Sequence, residues 1–152
     1  MEYQVELVEL AGQPAAIVRG VMSMADIGPF IGEAFGRVLR VVAEQGLSVT
    51  GPPFGRFNPG PDGFGVEAGF PVDRPPVAQD GVDALELPAG VAVQVMHRGS
   101  YETVRDAYTA LQDWQGEHGY QPTAPPWECY LDGPEVPEPR TVVISPCRLG
   151  AD

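Results

Sequence analysis

The sequence predicts an α+β fold: a duplicated strand–strand–helix–strand–strand unit with pseudo-twofold symmetry, mainly antiparallel sheets and a ligand cleft between the repeats. Three observations carry this. QGLSVTGPPFGRF, residues 45–57, aligns without a gap on HGYQPTAPPWECY, residues 118–130. Each half holds one stretch of apolar residues at helical spacing. Around those stretches lie short alternating or apolar runs, punctuated by glycine and proline, that read as strands.

The repeat is detailed enough to set a register. Gly46 falls on Gly119, Thr50 on Thr123, Pro52-Pro53 on Pro125-Pro126, Phe54 on Trp127 and Phe57 on Tyr130. Upstream, Ala34 falls on Ala107, Phe35 on Tyr108, Val38 on Leu111 and Glu44 on Glu117. AIVRG at residues 16–20 resembles VMHRG at residues 95–99, and VEL at 8–10 echoes LEL at 85–87.

In the first unit, QVELVEL and AAIVRG are short runs separated by the turn signal Ala-Gly-Gln-Pro, which predicts a hairpin. Ile27, Phe30, Ile31, Ala34, Phe35, Val38, Val41 and Val42 then share a helix face. Asp26 is the expected N-cap, Pro29 falls in the first turn, where a missing N–H is harmless, and Gly46 ends the helix. Strands near residues 54–57 and 64–72 follow, joined by NPGPDG.

The second unit repeats the plan. ALEL and VAVQVMHR predict a hairpin around Pro88-Ala89-Gly90. Ser100 is placed to cap a helix with Val104, Ala107, Tyr108, Leu111 and Trp114 on its buried stripe, closed by Gly119. Strands near residues 127–131 and 141–145 complete it, joined by the proline-rich DGPEVPEP. The chain, residues 1–152, thus reads as one ligand-binding domain: repeat one over about 1–73, a linker (DRPPVAQDG) at about 73–81 and repeat two over about 82–148.

Composition narrows the function classes. The net charge is −12, and all nine basic residues are arginine, so the basic footprint that displaces counterions from nucleic-acid phosphates is missing. No direct nucleic-acid binding is expected. No apolar run approaches the length of a membrane span, and MEYQVELVEL alternates like a strand instead of reading as a signal peptide. A cytoplasmic location is the default. Two cysteines, Cys129 and Cys147, with His97 and His118 make no metal-ligand spacing, and neither a phosphate loop nor a G-x-S-x-G elbow occurs. No metal and no cofactor are expected.

The repeat breaks at one position that bears on chemistry. Glu128, in TAPPWECYL, stands opposite Gly55 of the first unit. Alternation puts Glu128 and Tyr130 on one strand face, with Gly55 and Phe57 on the matching face of the other unit. A carboxylate among aromatic rings suits an organic cation: each ring face attracts a cation by about 0.5–2 kcal/mol, and a desolvated carboxylate supplies the counter-charge. A delocalised lipophilic cation is the easiest to strip of water. Exposure on an edge strand is the competing reading of Glu128. Further lining candidates are Tyr101, beside the Ser100 cap, whose competing reading is packing against the hairpin, and Glu67, which shares a face with Gly65 and Gly69 and for which exposure is the favoured reading. Trp127, on the opposite strand face, is a further lining candidate; Trp114 and Tyr108, on the helix stripe, are core residues first and pocket lining second. His97 at a strand end reads as a surface residue, and His118 as a complement to the helix dipole.

On the duplicated unit, on LPAGVAVQVMHRGSYETVRDAYTALQDW and on PPWECYL, the chain resembles the GyrI-like small-molecule-binding family, whose fold is shared with the effector domains of transcription regulators such as BmrR. The resemblance spans essentially the whole chain and is most specific in the second half. It implies that Glu128 lies in a central pocket and pairs with lipophilic cationic compounds, and that Tyr101 reaches the same pocket. It implies a stand-alone relative of the regulators, because no helix-turn-helix or basic segment precedes the first strand.

The expected function is therefore polyspecific binding of aromatic, often cationic, small molecules, for sensing or sequestration. Glu128 would be the counter-charge, and Tyr130, Tyr101 and Phe57 the stacking surface. An alternative implied by the resemblance is hydrolysis of cyclopropane-bearing DNA-alkylating antibiotics, with Glu128 and Tyr101 as the catalytic pair. A gyrase-inhibitor-like contact with another protein is a second alternative.

Overall fold

The two expected hairpins do not form. In the computed structural model, which describes residues 3–133 and 135–150, β1 runs unbroken over Val5–Met22 and β4 over Asp83–Arg98. The turn signals mark local departures from extended backbone instead of reversals: Gly12 has φ 84° and Gly90 φ 111°, values glycine adopts without strain. Beside Gly12, the Gln13 amide donates to the carbonyls of Pro14 and Val72, at 2.9 and 2.8 Å, and ties the strand down where a turn would have left it.

The chain divides into two compact units, one of residues 12–87 and the other of residues 1–11 with 88–152. Both long strands pass from one unit into the other. The residues left undescribed take part in two expected elements. Met1 and Glu2 begin MEYQVELVEL and Pro134 belongs to DGPEVPEP; these, with Ala151 and Asp152, lie outside the described residues.

In the 12–87 unit, β1 leads into α1 (Met24–Glu44), then β2 (Phe54–Gly60) and β3 (Gly63–Pro71). β3 is central, with β1 antiparallel on one side (Ile17 opposite Gly69) and β2 antiparallel on the other (Phe54 opposite Gly69). The predicted helix stripe packs on this sheet: Ala34, Val38, Val41 and Val42 are buried with Ala16, Val18, Ala68, Val72 and Val82. The helix begins earlier than expected, with Ser23 as N-cap, its hydroxyl 3.1 Å from the Asp26 carboxylate. Pro29 consequently lies beyond the first turn, where its ring removes an interior helix bond. The expected linker is fastened to this unit: Gln45 bonds Val77 through both side-chain ends, and Val82 is fully buried.

In the other unit, α2 (Arg105–His118), β5 (Tyr120–Pro122), β6 (Trp127–Tyr130) and β7 (Arg140–Leu149) join β4. β7 is central, pairing antiparallel with β4, β6 and β5. Ser100 caps a short 3-10 turn, Tyr101–Thr103, by accepting the Glu102 N–H; α2 proper starts at Arg105. Gly119 closes the helix at φ 75°. Val93, Val95, Ala107, Leu111, Val143 and Cys147 form the core, with Tyr3, Val5, Val104, Tyr108, Trp114 and Tyr120 packed around it.

The hydrogen-bond ladders confirm the repeat. Thr50 N–H donates to Pro71 O at 3.0 Å, and its counterpart Thr123 N–H donates to Pro146 O at 2.9 Å. In the strand before each helix, the ladders correct the register. Ala15 lies opposite Pro71 and Ala92 opposite Pro146, so Ala15 corresponds to Ala92, two residues out of step with the match of AIVRG to VMHRG. The slip is even, and each residue keeps its face.

Candidate functional site

β6 begins after Pro125-Pro126 and places Glu128 on the sheet face that α2 covers. The carboxylate is 8% exposed and accepts two tyrosine hydroxyls: Tyr108 O–H, from α2, at 2.6 Å on Oε2, and Tyr130 O–H at 3.0 Å on Oε1. Among the described residues no arginine or histidine forms an ion pair with it, and the edge-strand exposure reading fails. Burial pushes the Glu128 carboxyl above the usual carboxylate range. The two tyrosine hydrogen bonds and His97 oppose this without cancelling it. The same burial, reinforced by the carboxylate beside them, raises the phenols of Tyr108 and Tyr130, which therefore stay protonated donors.

The neighbouring candidates divide. Tyr101 packs its ring edge-on against Tyr130, centroids 5.9 Å apart, but its hydroxyl donates to Asp132 O at 3.0 Å and not to Glu128. Trp127 is 3% exposed, and Cys129, beside Glu128, has its thiol pushed up to about 11 by burial. Both cysteines are free. Gly55, Phe57 and Glu67 belong to the 12–87 unit. There Glu67 is already paired, with Arg56 at 2.6 Å and Arg19 at 3.2 Å. Burial alone would raise its carboxyl, but the two guanidiniums hold it below the ordinary range.

Two polar residues on the same sheet face as Glu128 carry no signal in the sequence reading. His97, which the sequence predicts at the surface, is 2% exposed. One ring nitrogen lies 2.8 Å from Tyr3 O–H, and the other donates to Ser100 O at 2.9 Å. Thr141, between His97 and Tyr130 in the ladder, is fully buried. Strand parity could have found His97, since Val93, Val95 and His97 alternate onto one face of β4. His118 turns its Nδ1 to the Trp114 carbonyl at 2.9 Å and stacks on that indole.

The ladder register shows how local this polarity is. Glu128, Tyr130, Thr141 and His97 correspond to Gly55, Phe57, Val66 and Gly20 of the other unit, and Tyr108 aligns with Phe35. Every polar member has an apolar counterpart. One unit carries only apolar residues at these five positions; the other builds a carboxylate with hydroxyl and imidazole groups on the same face.

The family model described as GyrI-like small molecule binding domain matches residues 3–144. The chain belongs to this family. Among curated proteins none matches. Among solved structures, the EcmrR C-terminal domain aligns at 23% identity over 99% of this chain and 100% of that one, with a TM-score of 0.84. In the cryo-EM structure of an EcmrR–DNA complex, the GyrI-like chain spans 58% of the EcmrR chain, with 97% of its own length covered, 24% identity and a TM-score of 0.82. A hydrolase from Listeria innocua aligns at 13% identity over 95% of this chain and 92% of that one, TM-score 0.68. SAV2435, in a structure bound to tetraphenylphosphonium, aligns at 16% identity over 97% and 94%, TM-score 0.61. At these identities the likeness carries the fold. Among the described residues no helix is long and apolar enough to cross a membrane, and no group of three acidic, histidine or cysteine side chains gathers to hold a metal.

Tyr108→Phe tests the electrostatics of this GyrI-like site. Phe35 stands at the matching position of the other unit, so the ring is expected to pack. Loss of the 2.6 Å hydrogen bond removes a stabiliser of the ionised Glu128. The carboxyl midpoint, followed by carbon NMR against pH, is expected to move further up; an unmoved midpoint would show that the tyrosine does not feel the charge.

Proposed function

We propose that the protein binds aromatic, lipophilic cations, with Glu128 as their counter-charge and Tyr130, Tyr108 and Tyr101 as the aromatic surround. One observation carries this reading: a buried carboxylate held by two hydroxyl donors, without a cationic partner among the described residues. A buried charge is costly unless paired, and the missing partner is supplied when a delocalised cation arrives. The fold it shares with SAV2435, seen bound to tetraphenylphosphonium, supports the choice of ligand. The roles are sensing or sequestration of toxic compounds.

Glu128 is covered, so entry requires Tyr108 or the start of α2 to move. A gap of about 70 Å³ borders Tyr108, with Leu111, Gln115, Pro126 and Ser145 around it. A more open hollow of about 360 Å³, near Gly90, Tyr120, Cys147 and Arg148, has only an arginine as its charged liner and would repel a cation. Calorimetric titration with tetraphenylphosphonium tests the proposal. Saturable one-site binding at micromolar concentrations is expected, and no heat up to millimolar ligand would remove it.

Hydrolysis of strained electrophiles is the second reading. It draws on the raised proton affinity of Glu128, which suits a general base, with Tyr108 or Tyr130 as hydroxyl partner in place of Tyr101. Ring-opened product by mass spectrometry, lost in Glu128→Gln, would favour it over binding alone.

A further inference from the structure

We propose that Thr141 is a second recognition point of the Glu128 site, and that the preferred ligand is an aromatic cation carrying its own N–H group instead of a fully alkylated one. The inference rests on the Glu128 reading above and narrows its ligand class.

Thr141 is 0% exposed, and its hydroxyl has no hydrogen-bond partner among the described residues. Its neighbours are committed elsewhere. Tyr130 donates to Glu128, His97 uses both ring nitrogens, and Thr103 donates to Ser100 O. An unpaired buried hydroxyl is disfavoured, and a threonine that only fills space is better replaced by valine. The other unit has done this: Val66 takes the corresponding place, 1% exposed, beside Phe57. The hydroxyl of Thr141 is therefore not a packing requirement of the fold.

Its position says what it serves. Thr141 lies directly across from Tyr130 and diagonally from Glu128, on the same face of the sheet. Diagonal neighbours in an antiparallel pair are about 7–8 Å apart, a span that one aromatic amine covers with charge at one end and N–H at the other. A fully alkylated cation meets Glu128 but leaves Thr141 as unpaired as before. An N–H donor satisfies both.

A matched pair of rhodamine dyes separates these cases. Rhodamine 6G carries N–H groups; tetramethylrhodamine ethyl ester has the same ring system with every amine nitrogen alkylated. In Thr141→Val, affinity for rhodamine 6G is expected to fall about 5- to 10-fold, one hydrogen bond's worth, while the alkylated dye changes less than about 2-fold. Thr141→Ser restores the discrimination, and Thr141→Val alone melts higher than wild type because the orphan hydroxyl is gone. Equal effects on both dyes, or no effect on either, would overturn the role of Thr141 while leaving Glu128 intact. Failure of both dyes to bind the wild-type protein, or binding indifferent to Glu128→Gln, would overturn the cation reading and this inference with it.

Discussion

Glu128→Gln is expected to lower affinity for a delocalised lipophilic cation by about 100-fold at neutral pH, the effect of removing one partner of a desolvated charge pair. The same substitution is expected to raise the thermal midpoint of the unliganded protein. Both outcomes follow from one geometry. The carboxylate is buried under α2, held by two tyrosine hydroxyls with no cationic partner among the described residues, and burial raises its affinity for a proton. A carboxyl whose folded-state pKa lies above its unfolded value contributes stability that is fully present below the unfolded value. That contribution is lost as pH rises through the folded one. Glutamine removes this loss, so the variant gains on wild type at neutral pH and the two converge towards pH 4 and below. Ligand binding has the opposite linkage: the cation prefers ionised Glu128, so affinity rises with pH across the same window and binding releases a proton. Calorimetry at pH 5 and 7.5 reads both. Unchanged affinity in the variant would remove the central claim, and a lowered midpoint at pH 7.5 would show that the carboxylate stabilises the fold instead of straining it.

Where the sequence was legible, symmetry was the reason. The double-proline register placed Thr50, Thr123, Phe54 and Trp127 in equivalent settings, and parity put Glu128 and Tyr130 on one face. What escaped had physical causes. A Gly-Pro cluster looks the same whether it reverses a chain or lets a continuous strand pass a residue with positive φ, so β1 and β4 were each divided in two. Tyr108 read as helix stripe because its ring does pack there; that its hydroxyl meets a carboxylate twenty residues away is a tertiary fact. His97 and Thr141 carried no motif of their own. Their polarity stands out once the ladders match them to Gly20 and Val66, where the same rows are built without it.

The largest loss of stability is expected from one methyl group, in Gly69→Ala. Gly69 is central in the 12–87 sheet, opposite Ile17 on one side and Phe54 on the other, both essentially fully buried. A β-carbon built on it would lie 1.9 Å from the Ala16 carbonyl oxygen and 2.9 Å from Ile17 Cα. Both are backbone atoms, so no rotamer change relieves the clash; β1 must move away from β3, and the buried row with it. Overpacking that shifts backbone costs about 1–3 kcal/mol, and contacts this short belong at or beyond the upper end. Gly65→Ala in the same strand is the control: its β-carbon would meet Asn58 O at 3.5 Å, an ordinary contact, and is expected to be tolerated. The corresponding row of the other unit carries Ile144, opposite Trp127, so glycine is a demand of this strand crossing and not of the repeated fold. Urea denaturation should place Gly69→Ala well below both wild type and Gly65→Ala. If the two variants lose similar stability, close backbone approach is not what keeps glycine there, and the strand's intrinsic preference would be.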